Sequence, residues 1–449
     1  MPVPRIHIHP PADNPIHHMV RFLKRSVPLI IAVGLATGMA FLLRLIPGTA
    51  VPKKQSADGQ SPALSVLGEM PDWTKLEVFQ DTITRKDFER LLTTVFTTGK
   101  GWTSFIEIND TDAKILTGDA KSPTRFKLRF ANPGHAKPSP HPWKTTADLP
   151  PAPPGKPLAG LRIAIDPGHL GGQWAQLEER YFVVKGGTPI REGDLTLTVA
   201  QLLKPRLENL GATVLLVRDK TEPVTPLRPQ NLLAIAKDSG EAADSPTALQ
   251  RLAERLFYRT AEIHARAQLV NRSLKPDLVL CLHFNADNWG DPHHPKLVKH
   301  SHFHLLVNGA YTDAEIAFAD QRFSLLQKLL ARTHEEEALV GAAIGDTFAA
   351  LTHLPPYTYS AGSESALPVN GHPYLWARNL LANRLYQCPV IFMEPYVMNS
   401  TADSPRLQAG DYEGLRKING KSQPSIFREY ADSLTEALAR HYAKVRGNQ

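Results

Sequence analysis

Residues 161–172 read LRIAIDPGHLGG, and no other stretch of the 449-residue chain narrows the fold as far. Leu161, Ile163 and Ile165 alternate with Arg162 and Ala164, which predicts a buried strand. Asp166-Pro167-Gly168 stops that strand with a turn. His169 falls just past the stop, at the carboxyl edge of a sheet, where α/β proteins gather their chemistry. A second apolar run, Leu278–Leu282, ends at His283, and a third, Val390–Met393, ends at Glu394. Three strands that each deliver a metal-binding or acid–base residue predict one site.

From Leu158 onward strand and helix patterns alternate. Helical periods cover 195–210, 248–274, 314–333, 346–352, 375–385 and 425–445, and strands cover 213–217 and 302–307. Alternation of this kind predicts an α/β fold, a mostly parallel twisted sheet with helices on both faces. A small α+β accessory domain is expected at 71–132, where Thr84 caps an amphipathic helix and 102–108 and 124–130 read as strands. Residues 47–70 read as a linker, and the Pro-rich run 133–157 as a stiffer one. The catalytic domain is expected at 158–449, with an insertion at about 220–255.

Val27–Leu43 carries no charge and follows Arg21, Lys24 and Arg25. It is longer than the ~7–15-residue core of a secretory signal. This predicts a transmembrane signal anchor at 26–46 behind a basic cytoplasmic tail at 1–25, with cleavage and secretion as the alternative. Either way the rest of the chain is expected outside the cytoplasm. Cys281 and Cys388 are the only cysteines, which excludes a disulfide-rich scaffold and predicts buried free thiols. The net charge of +7 favours anionic surroundings. No basic block interleaved with aromatics points to nucleic acid.

Between the two histidine strands stands Glu192, just ahead of a helix with Leu195, Val199, Leu202 and Leu203 on one side. An acid there can serve the helix dipole alone. With His169 and His283 it makes two imidazoles and one carboxylate, the set that binds a catalytic zinc and leaves a fourth position for water. Such a site also needs a carboxylate to move the water's proton, and Glu394 is the candidate.

Residues 159–446 resemble the zinc-dependent N-acetylmuramoyl-L-alanine amidases of type 3. The resemblance runs through IAIDPGHLGG, REGDLTL, VLLVR, RAQLVN before PDLVLCLHFNA, and MEPYVMNS. It implies one zinc held by His169, Glu192 and His283, with Glu394 catalytic. It also implies a peptidoglycan substrate, cut at the amide between muramic acid and L-alanine. The matching runs also place Arg218, Arg266, Asn271, Asn285 and Asn399. The chain departs from the family in a longer gap from His169 to Glu192, in the insertion at 220–255, in extra residues at 291–299, and in E-P-Y where the family has E-x-G-F. The insertion is expected on the surface. In related enzymes an extra helix blocks the zinc until an activator protein removes it, so such a protein is a candidate partner.

Other features read as structural. His293, His294, His300, His302 and His304 are spaced irregularly and read as a solvated loop plus one face of a strand. His334-Glu335-Glu336-Glu337 has no second histidine at zincin spacing and reads as an exposed helix end. Arg218 and Arg266 suit either substrate carboxylates or internal ion pairs. Two rival functions stay open: a zinc amidohydrolase of related fold acting on N-acyl amino acids, and an inactive wall-binding or activator protein.

Overall fold

The computed structural model describes residues 62–118, 123–239, 245–360 and 362–447. In the N-terminal part, strands β1 (Ile106–Ile108), β2 (Asp112–Leu116) and β3 (Arg125–Arg129) form an antiparallel sheet. Thr84 caps the helix Arg85–Leu91 by accepting from the Asp87 amide. Trp102 belongs to a 3₁₀ turn rather than a strand, and β2 is an addition to the expected pair. This sheet packs into the main hydrophobic core. The amides of Ala310 and Tyr311 donate to the carbonyls of Val95 and Phe96. Gly309 permits that approach, since a Cβ there would stand 2.5 Å from the Val95 oxygen.

The central sheet is built from β4 (Arg162–Pro167), β7 (Thr213–Leu216), β8 (Leu278–Leu282), β9 (Phe303–Val307), β10 (Leu367–Pro368), β11 (Leu375–Ala377) and β12 (Val390–Pro395). Two short strands, β5 (Tyr181–Phe182) and β6 (Ile190–Arg191), form a separate ribbon before the helix Glu192–Asn209. The central order is β10-β11-β9-β12-β8-β4-β7. Strands β7, β4, β8 and β12 run parallel, whereas β9 is antiparallel to β12 and β10 to β11. Both faces are covered. Ile163, Ile165, Leu278, Leu280 and Leu282 join one core cluster, while the intervening Ala164, Val279 and Cys281 join another. That alternation is why these strands read as continuous apolar runs. Cys281 and Cys388 are free and buried.

The transmembrane helix included in the expected fold class is withdrawn. Among the described residues no helix is long and apolar enough to cross a membrane. The segment that prompted it, 26–46, lies outside the described residues, as do the tail at 1–25 and most of 47–70. The described residues therefore form a mixed α/β fold without that element.

Two further expectations are corrected. The insertion is not a purely surface excursion: its Leu232 and Ala236 are buried with Leu252, Phe257 and Leu170, and its Thr225 amide donates to Glu262. His334, Glu336 and Glu337 are buried rather than exposed. Glu337 accepts from the Val390 amide at 3.1 Å and stands 3.6 Å from the Lys328 ammonium, so this helix start anchors β12.

Candidate metal centre

Strand register brings the candidate residues to one sheet edge. Pro167 pairs with Leu282, and Leu282 with Met393. His283 and Glu394 follow their strand partners immediately, and His169 comes two residues after Pro167. The chain turns sharply at His169, whose φ of +59° is left-handed, a conformation a non-glycine side chain adopts at a cost. Two glycines let the pieces close. A Cβ on Gly168 would stand 2.3 Å from the His283 ring, and one on Gly193 2.2 Å from the Leu170 carbonyl carbon. Gly193 thereby allows the helix starting at Glu192 to sit against the His169 turn.

The result is a compact donor set. His169, Glu192 and His283 each offer a ligand atom, all within 4.8 Å of one another. His169 Nε2 lies 3.2 Å from Glu192 Oε2, and His283 Nδ1 lies 3.1 Å from Glu192 Oε1. Ligand atoms about 2.0–2.2 Å from a tetrahedral zinc are themselves roughly 3.4 Å apart. The donor types and spacing therefore fit zinc. The histidine side chains keep 19% and 14% of their surface exposed, against 3% for Glu192, so the set is reached from solvent past the imidazoles.

Charge separates the two carboxylates of the site. Burial alone would raise the Glu192 carboxyl, but His169 and His283 hold it down at about 2. Glu394 goes the opposite way. Burial pushes it up to about 7; His283 opposes this and the Glu192 charge adds to it. Two carboxylates driven apart in this manner divide into an ionised ligand and a group able to exchange a proton near neutrality.

Glu178 escaped the sequence reading. It is buried, accepts from His169 Nδ1 at 2.8 Å and from the Leu170 amide at 2.7 Å, and so aims Nε2 at the site. Its only sequence signal was the long gap between His169 and Glu192, which the helix Trp174–Leu177 and the ribbon β5–β6 fill. Arg180, in the same stretch, is near enough for its charge to lower both Glu178 and Glu192.

The two arginines prove to be internal. Arg266 is buried and donates to Asp166, Glu262 and the carbonyls of Pro167 and His169. Arg218 donates to the Gly193 and Lys220 carbonyls. Both brace the turn that carries His169. Asn271 bridges to Leu385 and Gln387, and Asn399 fixes the backbone of Asp287 and Lys296. The E-P-Y departure also has a local account. Tyr396 takes the place of the family glycine with φ +63°, and its ring is buried against Phe284 and Tyr430 while its hydroxyl donates to Glu429. Packing thus holds a side chain in a conformation glycine adopts freely.

Comparison with known proteins agrees with this geometry. Residues 163–296 match the family model described as N-acetylmuramoyl-L-alanine amidase. The match takes in His169, Glu192 and His283; Glu394 lies beyond it. No curated protein matches the chain. Among solved structures, an N-acetylmuramyl-L-alanine amidase from Mycobacterium smegmatis is 18% identical, with 65% of this chain and 99% of that one covered at a TM-score of 0.36. The corresponding enzyme from Mycobacterium abscessus is 16% identical, with 63% and 99% covered at 0.35. An amidase from Nostoc punctiforme is 16% identical, with 64% and 97% covered at 0.32. At scores this low, structural likeness says nothing about chemistry. The segment 163–296, which carries the three donor residues converged at one sheet edge, is thus similar to the N-acetylmuramoyl-L-alanine amidase family.

Proposed function

We propose that this chain is a peptidoglycan hydrolase that cleaves the amide bond between N-acetylmuramic acid and L-alanine, acting outside the cytoplasm where that polymer lies. The observation that carries the reading is the convergence of His169, Glu192 and His283 inside the segment matching that family. A zinc ion in this set supplies the chemistry such a cleavage needs, lowering the pKa of a water to about 7 and polarising the amide carbonyl.

The chain's own residues do the rest. Glu192, held ionised, brings the negative charge that makes the donor set attractive to a divalent cation. Glu178 fixes the tautomer and orientation of His169. Glu394 accepts the water's proton on its carboxylate and returns it to the leaving amine. Its position one residue past Met393 puts that carboxylate beside His283.

The test is cleavage of purified sacculi, with zinc content measured on the same samples. The wild-type chain is expected to hold zinc and solubilise sacculi. Glu192→Gln should lose both, whereas Glu394→Gln should keep the zinc and lose cleavage. Stoichiometric zinc in a wild-type chain that never cuts sacculi would instead favour the inactive wall-binding reading.

A further inference from the structure

A second group of donors lies at the same sheet edge and plays no part in the amide chemistry. Asp287, His300 and His302 each offer a ligand atom within 4.8 Å of the others, and with the first set they make the two such groups among the described residues. The topology explains the meeting. Asp287 lies four residues beyond His283, past the end of β8. Strand β9 runs antiparallel to β12, with Phe303 opposite Pro395 and His304 opposite Glu394. His302, immediately before β9, therefore emerges at the edge where β8 and β12 end. The intervening loop is pinned to 397–401: Val298 pairs with Ser400, and Asn399 accepts from the Asp287 amide at 3.0 Å.

An ordinary ion pair accounts for two of the three residues, since His300 Nε2 stands 3.0 Å from Asp287 Oδ2. It does not account for His302. That residue is only 7% exposed, and its Nδ1 is buried with no hydrogen-bond partner. A buried imidazole nitrogen left unpartnered is costly, and such groups in folded proteins call for an explanation. The ring is nevertheless held firmly, 5.7 Å from the near-parallel ring of His300 and 4.8 Å from Tyr357. His300 and Asp287 keep 55% and 39% of their side-chain surface exposed, so an ion has a path in and a face left for water.

We infer that Asp287, His300 and His302 form a second site for a divalent transition-metal ion, of which zinc best suits two imidazoles and one carboxylate. The site lies beside the first at the mouth of the same sheet edge. Its existence does not depend on the amidase reading, because it rests on a different donor set.

Equilibrium dialysis of the full chain against free zinc, followed by elemental analysis, tests it. The wild-type chain is expected to bind two zinc ions. His300→Ala and Asp287→Asn, both at partly exposed positions, should each bind one. His169→Ala should also bind one, and His169→Ala combined with His300→Ala should bind none. Cobalt(II) loaded into His169→Ala should give visible ligand-field bands that His300→Ala abolishes. One zinc in the wild-type chain, or two in His300→Ala, overturns the assignment.

Discussion

The two donor sets hold the same chemistry, two histidines and a carboxylate, on very different supports. In the first, Glu192 opens an 18-residue helix, the histidines follow strand ends, and Glu178 locks one of the rings. In the second, Asp287 and His300 stand in a loop and only His302 is buried. The contrast teaches that donor identity does not decide what a site does. A site built on rigid elements with an oriented second layer holds its ligands ready, and it alone has a partner such as Glu394 poised to exchange a proton. The loop-borne set, as inferred above, holds an ion without that support.

The sharpest way to break this contrast is to remove the proton carrier. Glu394→Gln should fold and bind zinc at the first set while amide cleavage falls ~10²–10⁴-fold; turnover near wild type, measured on sacculi, would place the base elsewhere. Gly168→Ala comes next. Its Cβ would meet the His283 ring at 2.3 Å, so zinc affinity at the first set should collapse while the second set keeps its ion. Glu178→Gln should cost roughly 10–100-fold in zinc affinity, read by competition with a chelator, through the loosened His169 ring. An unchanged affinity would mean that the strand ends alone orient the ligands.

Acidity sharpens the comparison further. Glu394, pushed up to about 7, is protonated below that value and then accepts no proton. Cleavage at saturating zinc should therefore fall as pH drops on the acid side of the profile. A bound cation favours the ionised form and moves this limb below 7. Burial and His300 both hold His302 below the usual histidine range, against the opposing charge of Asp287. A last prediction concerns the buttress. Leu232→Ala removes a buried side chain from the cluster containing Leu170, and should cost about 2–5 kcal/mol of stability in denaturant melts. A cost near zero would return the insertion to the surface.

How legible each part was in the sequence depended on where its information sits. His169, His283 and Glu394 were readable because each follows an apolar run whose end is visible in one dimension. Glu192 was readable from its place ahead of a helical period. Glu178 was not, because a buried carboxylate nine residues after His169 has no local signature; only folding of the inserted stretch turns it back. The direction of β9 was equally hidden. His302 and His304 alternate as a strand face should, but nothing local says that the strand runs against its neighbour and returns them to the catalytic edge. The insertion misled for a simpler reason: its prolines and charges announce a loop, while Leu232 and Ala236 bury only through tertiary contact with Leu170. The same holds for Glu337, whose partner Lys328 lies across a helix junction.

The central claim is that the first donor set drives cleavage of one particular amide. Sacculi digested with the zinc-loaded chain should yield new L-alanine amino termini and glycan strands with intact muramic acid, and the Glu394→Gln chain should yield neither. New reducing sugar ends, or peptide cuts that leave the muramic acid–alanine bond whole, would contradict the account.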